Sequence, residues 1–214
     1  MNKETFGQVA VLLGGTSNER EISINSGQSV LKALKRNSID ATGIDPKTDN
    51  LEQLKLFDRI FICLHGKDGE DGKIQKYLDS LKIPYTGNGA AASALCMNKY
   101  LAKKQWAKDN IPTPLFMLAN SPDDYTILRK YFGDEFILKP ASSGSSLGVS
   151  IVKNNNDYME AFDNASKIDS TIIAETYISG NEYAIPILNN AALPIIEIKP
   201  KTNFYNFDAK YNRQ

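Results

Sequence analysis

Along the first ninety positions, unbroken apolar runs alternate with stretches in which apolar residues recur every three or four. Val9-Ala10-Val11-Leu12-Leu13 predicts a buried strand over 8–13, which Gly14-Gly15-Thr16 breaks before a helix carrying Ile22, Val30, Leu31 and Leu34 on its apolar face. A second strand is expected over Asp40 to Asp45, a short helix over Leu51 to Phe57, and a third strand over Arg59 to Leu64. A helix through Ile74, Leu78 and Leu81 follows. Buried strands alternating with helices imply a parallel sheet covered by helices, with ligands at the carboxyl ends of the strands. Gly14-Gly15 and His65-Gly66 both fall at such ends.

The pattern changes after Pro84-Tyr85-Thr86-Gly87-Asn88-Gly89. Ala90 to Lys108 predicts one helix, ended by Pro112 and Pro114. Strands over Phe136 to Pro140 and Val149 to Lys153 are joined by Ser/Gly-rich residues 141–148. A helix from about Asp157 to Ser166 leads to a strand over Thr171 to Thr176, and Glu182 to Leu188 with Leu193 to Lys199 form a hairpin over Asn189-Asn190. The expected fold is therefore α/β: an N-terminal parallel-sheet domain at 1–89, then an α+β block divided into 90–179 and 180–214. The last part is expected to be incomplete, because no closing helix follows Lys201.

Composition narrows the functional classes. Apolar residues make up 42% and charged residues 23%, which excludes disordered and collagen-like chains. Lys plus Arg and Asp plus Glu balance at 25 each, so no global field favours nucleic acid or an anionic membrane, and any anion must be bound locally. The apolar runs are too short to span a bilayer and no secretory signal opens the chain, so the expected compartment is the cytoplasm. Cys63 and Cys96 lack disulfide or metal spacing and are expected to be buried, reduced thiols.

Four segments could carry chemistry. In Gly14-Gly15-Thr16-Ser17-Asn18-Glu19-Arg20-Glu21, the glycines admit a ligand to the backbone, a helix N-terminus attracts a carboxylate, and Glu19 could hold an ammonium. The structural alternative is a capping box from Thr16 to Glu19 or from Asn18 to Glu21. His65, the chain's sole histidine, opens the acidic Gly-rich loop 65–72, as a structural hydrogen-bonder or as a site residue. Lys139 with the small residues 140–148 can neutralise and wrap phosphate oxygens, although it matches neither a P-loop nor a dinucleotide fingerprint; a plain flexible hairpin is the alternative. Glu175 and Glu182, with backbone groups near Ile178, could accept hydrogen bonds from an adenine amino group and a ribose hydroxyl.

Taken in order, residues 12–21, Leu64-His65-Gly66 with Gly69-Glu70-Asp71-Gly72, Pro84-Tyr85-Thr86-Gly87 and Met97-Asn98-Lys99 resemble the D-alanine–D-alanine ligases. So do Lys139-Pro140, Gly144-Ser145-Ser146-Leu147-Gly148 and residues 204–211. These enzymes belong to the ATP-grasp superfamily, and the likeness runs over nearly the whole chain. It implies a Rossmann-like N-terminal domain, an ATP-grasp remainder, and ATP-dependent joining of two D-alanines through an acyl phosphate for peptidoglycan. Glu19, Ser145 and Tyr211 would form the catalytic network, with Glu19, His65 and Ser145 at the first substrate. Lys99, Lys139, Ser145, Glu175, Ile178, Glu182 and Lys210 would bind ATP. Magnesium or manganese is implied, with ligands beyond Gln214 and none in this chain, so residues 1–214 alone are expected not to turn over. A non-catalytic nucleotide or D-alanine binding fragment, or a ligase with D-lactate or D-serine as second substrate, are the alternatives. No nucleic-acid or membrane partner is implied, and a homodimer is, since the family is commonly dimeric.

Overall fold

The computed structural model describes residues 6–199. It forms two compact units, Met1–Ala102 and Lys103–Gln214.

The first unit is built on β1 (Val9–Leu12), flanked by β2 (Ala41–Ile44) and β3 (Arg59–Ile62) in a parallel sheet of order β2-β1-β3. Register pairs Val9 with both Ala41 and Arg59. All four residues of β1 are buried, as expected for the central strand of a sheet covered on both faces. Helix α1 (Arg20–Arg36) crosses from β1 to β2, and its deepest positions are Ser23 and Gly27 rather than the predicted Ile22, Val30, Leu31 and Leu34, which are only partly buried. The reason is distance: a Cβ at Gly27 would collide with the Leu13 side chain, so only a residue without one lets the helix lie this close. A 3₁₀ turn over Leu51–Leu56 and helix α2 (Lys73–Leu81) close the unit around Leu12, Leu54, Ile60 and Leu78, all fully or almost fully buried.

Residues 90–108 are not one helix. Helices α3 (Ala90–Met97) and α4 (Lys99–Lys108) are separated at Asn98, whose backbone is extended and whose side-chain oxygen accepts the Leu101 amide at 3.0 Å. Asn98 thus starts a second helix, the capping role that asparagine favours over a helix interior. Cys96 is exposed, against expectation, while Cys63 is buried. Ala-rich α3 is apolar except at Ser93, which is its buried residue, so its apolar residues define no face from which burial could be read.

The second unit holds an antiparallel sheet of order β4-β7-β5-β6: β4 (Phe116–Ala119), β7 (Ile172–Thr176), β5 (Phe136–Pro140) and β6 (Ser150–Val152). Helix α6 (Asn155–Ser166) packs on β5 and β6, with Asn154 accepting the Asp157 amide at its start. Strand β4 and helix α5 (Tyr125–Phe132) have no counterpart in the sequence reading. The Asp124 carboxylate accepts the Asn120 and Ser121 amides at 2.8 and 3.1 Å, shaping the turn between them. Phe136 and Tyr158 are fully buried at the centre of this core, 6.3 Å apart between ring centroids.

The expected 182–199 hairpin is subdivided. Strands β8 (Glu182–Ala184) and β11 (Ile196–Ile198) pair with each other, as do β9 (Ile187–Leu188) and β10 (Ala191–Ala192). Pro186 and Pro194 lie between the two ladders and have no amide to continue them. Asn189 and Asn190 make the turn with φ of 50° and 62°, the left-handed pair that a tight hairpin needs.

Candidate functional site

In the first unit the chemistry collects where β1 and β3 end. Gly14 and Gly15 adopt φ of 80° and 75°. Their turn is fixed from two sides. Ser23, fully buried, accepts the Gly14 amide at 2.9 Å and donates to the Cys63 carbonyl at 2.7 Å, tying the ends of β1 and β3 to α1. Arg20 donates to the Gly15 carbonyl at 2.7 Å and grips the Asp45 carboxylate with bonds of 3.0 and 2.6 Å, while Asp45 also accepts the Gly15 and Lys47 amides. Burial works against the Asp45 charge, but the guanidinium and the two amides outweigh it and hold the carboxyl at about 2.

A stability consequence follows. The carboxyl is depressed in the folded chain, so its contribution of about 2 kcal/mol is complete above the ordinary value near 4 and is lost as pH falls towards 2. The urea midpoint of wild type should exceed that of Asp45→Asn at pH 7 and approach it steadily below about pH 4. A pH-independent gap would show that packing, not charge, distinguishes the two.

Glu19 stands at the N-cap of α1, so neither Thr16 nor Asn18 occupies the cap position that a capping box requires, and the Glu19 carboxylate makes no capping bond. Ser17 organises the approach: its hydroxyl donates to the His65 carbonyl at 2.7 Å and accepts the Glu19 amide at 3.2 Å. Glu19 and His65 are thereby brought together. A Cβ placed on Gly66 would come within 2.8 Å of Glu19 Oε2, so the glycine leaves space that the carboxylate fills. His65 Nδ1 lies 3.7 Å from Glu70 Oε1, while the Gly66 amide donates to Glu70 Oε2 at 3.0 Å. Glu70 first, and Glu19 more weakly, raise the imidazole above its ordinary value against the opposing effect of burial.

His65 lines two neighbouring cavities. One, of about 290 Å³, is bounded by Gly14, Gly15, Leu64 and Tyr77 among others; a second, of about 580 Å³, reaches Gln75, Thr86 and Met97. Glu19 lines neither, and is half-buried against Gly66.

In the second unit, Lys139 on β5 and Glu175 on β7 form an ion pair. Register makes this legible: Glu175 faces Ile137, so Lys139 is its diagonal neighbour on the same face of the sheet. The separate roles expected for these residues meet in one contact. Lys103, absent from the sequence reading, lies 3.0 Å from the other Glu175 oxygen. Its side chain is only 4% exposed, and its ammonium donates to Thr113 Oγ1 at 2.6 Å and the Pro114 carbonyl at 3.2 Å. Burial pulls the Lys103 pKa down, with Glu175 pushing back. A clue was present in the sequence, since Lys103 lies one helical turn after Lys99.

The other expected residues lie on separate elements. Lys99 opens α4, and Ile178 and Glu182 are exposed on the segment that leaves β7. Ser145 and Ser146 both take left-handed backbone, at φ 52° and 58°, in the loop between β5 and β6. They are the central pair of a tight turn closed by the Leu147 amide donating to the Gly144 carbonyl at 3.0 Å, the same backbone that Asn189 and Asn190 adopt between β9 and β10. Lys210 and Tyr211 lie outside the described residues. Among the described residues no group of three or more His, Cys, Asp or Glu could hold a metal ion, and no helix is long and apolar enough to cross a membrane.

Comparison with known proteins places the chain in a family. Residues 41–88 match the family described as D-ala D-ala ligase N-terminus, and residues 121–214 match D-ala D-ala ligase C-terminus. The D-alanine–D-alanine ligase of Dechloromonas aromatica is 45% identical over 209 residues, which are 98% of this chain and 69% of the relative. That of Neisseria meningitidis strain MC58 is 45% identical over 98% of this chain and 70% of its own length. The crystal structure of the Bacillus anthracis D-alanine–D-alanine ligase complexed with ATP superposes with a TM-score of 0.80 at 32% identity, covering 93% of this chain and 68% of that one. With both family models matched in order and relatives this similar over most of their length, the chain belongs to the D-alanine–D-alanine ligase family.

Proposed function

We propose that this protein joins two D-alanines in an ATP-dependent reaction that forms D-alanyl-D-alanine for peptidoglycan. Family membership supports the reaction, and the observation that carries it to particular residues is the pairing of Glu175 with Lys139, which stands at the end of β5 where the small-residue loop begins. The first D-alanine carboxylate attacks the γ-phosphorus of ATP and ADP leaves. The amine of the second D-alanine then attacks the acyl phosphate carbonyl, loses a proton, and expels phosphate. Phosphoryl transfer needs positioning and charge neutralisation above all, and these are what the side chains supply.

In this reading Glu19 holds the ammonium of the first D-alanine, with His65 beside it. Lys99 and Lys139 neutralise ATP phosphates, Glu175 and the backbone at Ile178 receive the adenine, and Glu182 the ribose. Ser145 belongs to the loop that covers substrate and phosphates, joined by Tyr211 and, at the γ-phosphate, Lys210. The described residues do not fit the magnesium or manganese that the family implies, so no step is assigned to a metal on them.

Replacing Glu19 with Gln removes one charge-assisted bond, worth about 1.5–3 kcal/mol, and should weaken first-substrate binding by roughly ten- to a hundredfold with the melting temperature unchanged. Steady-state kinetics in varied D-alanine, in a polypeptide of the relatives' full length, measure it. An unchanged Michaelis constant and turnover in a normally folded variant would remove Glu19 from the site.

A further inference from the structure

We infer that Lys103 is a positioning residue: it stays on the Glu175 carboxylate as a permanent counter-ion and so frees Lys139 for the nucleotide. The inference rests on the nucleotide site proposed above and adds a residue to it.

Glu175 is 8% exposed and has an ammonium at each oxygen. The two lysines are held differently. Lys103 is pinned by the Thr113 hydroxyl and the Pro114 carbonyl, and the Phe116 ring lies 5.2 Å from its ammonium. These partners come from one segment, 113–116, whose strand β4 is paired with β7, the strand that carries Glu175. Lys139 has the more exposed side chain of the two, 17% against 4%, and stands at the start of the Ser/Gly loop. A lysine that must reach a phosphate has to leave its carboxylate. Leaving a buried carboxylate with no counter-ion is strongly unfavourable, so a lysine that is Glu175's sole partner would be held back. With Lys103 fixed in place, Lys139 can turn to the phosphate while Glu175 remains charged, oriented and able to accept a hydrogen bond from an amino group.

Double-mutant titration with a non-hydrolysable ATP analogue separates this role from a merely structural one. Lys103→Met should weaken the analogue roughly tenfold or more, the scale of a lost charge-assisted contact, because Lys139 is then confined to Glu175. Lys139→Met should weaken it in the wild-type background, yet cost less than about twofold further once Lys103 is Met, since Lys139 no longer reaches the phosphates. Lys103→Arg keeps the cation and should recover affinity to within about threefold of wild type. Should Lys103→Met fail to fold, Lys103→Gln, which keeps a donor for Thr113 without the charge, is expected to give the same result. Independent, multiplying effects of the two substitutions would overturn the inference, as would wild-type affinity in a folded Lys103→Met. Wild-type affinity in Lys139→Met would instead overturn the nucleotide site itself.

Discussion

Replacing Glu175 with alanine should destabilise the protein by about 3–5 kcal/mol, the usual cost of removing one partner from a buried ion pair. The penalty comes mainly from Lys103. Its side chain is 4% exposed, and without the carboxylate its charge keeps a hydroxyl, a carbonyl and the face of the Phe116 ring, but no counter-ion. Lys139 is more exposed and can turn towards water. The pH dependence has a definite sign. A lysine depressed in the folded state opposes folding wherever the unfolded chain would be protonated, so the penalty is full at neutral pH and fades as pH rises towards the ordinary lysine value near 10.4. Urea denaturation at pH 7 and pH 9.5 checks this. Adding Lys103→Met to Glu175→Ala should recover much of the loss, because the stranded charge is gone. A double variant no more stable than Glu175→Ala would place the cost in the lost side chain's packing.

Phe136→Ala should cost a comparable 3–5 kcal/mol, the range for deleting a fully buried aromatic side chain. Phe136 is 0% exposed and lies within 6.0–6.3 Å, between ring centroids, of Phe132, Tyr125 and Tyr158. The three remaining rings, on α5 and α6, cannot collapse onto the vacated space without leaving their own contacts. A functional loss accompanies it, since Phe136 is on the strand that ends at Lys139-Pro140. The urea midpoint should fall with an unchanged slope, and affinity for an ATP analogue should fall with it. A loss below about 1 kcal/mol would mean that the core repacks.

The parallel sheet of the first unit was legible because β1 and β3 lie in unbroken apolar runs, each followed by a glycine or polar break, with helical periodicity between the strands. Strand β4 and helix α5 were not. Phe116-Met117-Leu118-Ala119 is short and follows two prolines, and the start of α5 depends on Asp124 folding back onto Asn120 and Ser121, a local bond that no periodicity announces. The break at Asn98 was hidden for the same reason, since a single cap interrupts residues that are all compatible with a helix.

Candidate site residues were recognised where chemistry and position coincide, as at Glu19, His65, Lys139 and Glu175. Their mutual contacts required the fold. Register brings Lys139 to Glu175, and Ser17, by bonding both the His65 carbonyl and the Glu19 amide, brings two loops 46 residues apart in sequence to one place. Lys103 escaped notice because a lysine on a helix ordinarily faces water, and its burial is decided by a threonine and a glutamate distant in the chain.

The most direct test of the ligase assignment is product analysis after incubation with ATP, magnesium and D-alanine, using a polypeptide of its relatives' full length. The account predicts ADP, phosphate and D-alanyl-D-alanine in equal amounts, none with L-alanine, and loss of all three products in Lys139→Met. ADP released independently of D-alanine, or released without dipeptide, would contradict it.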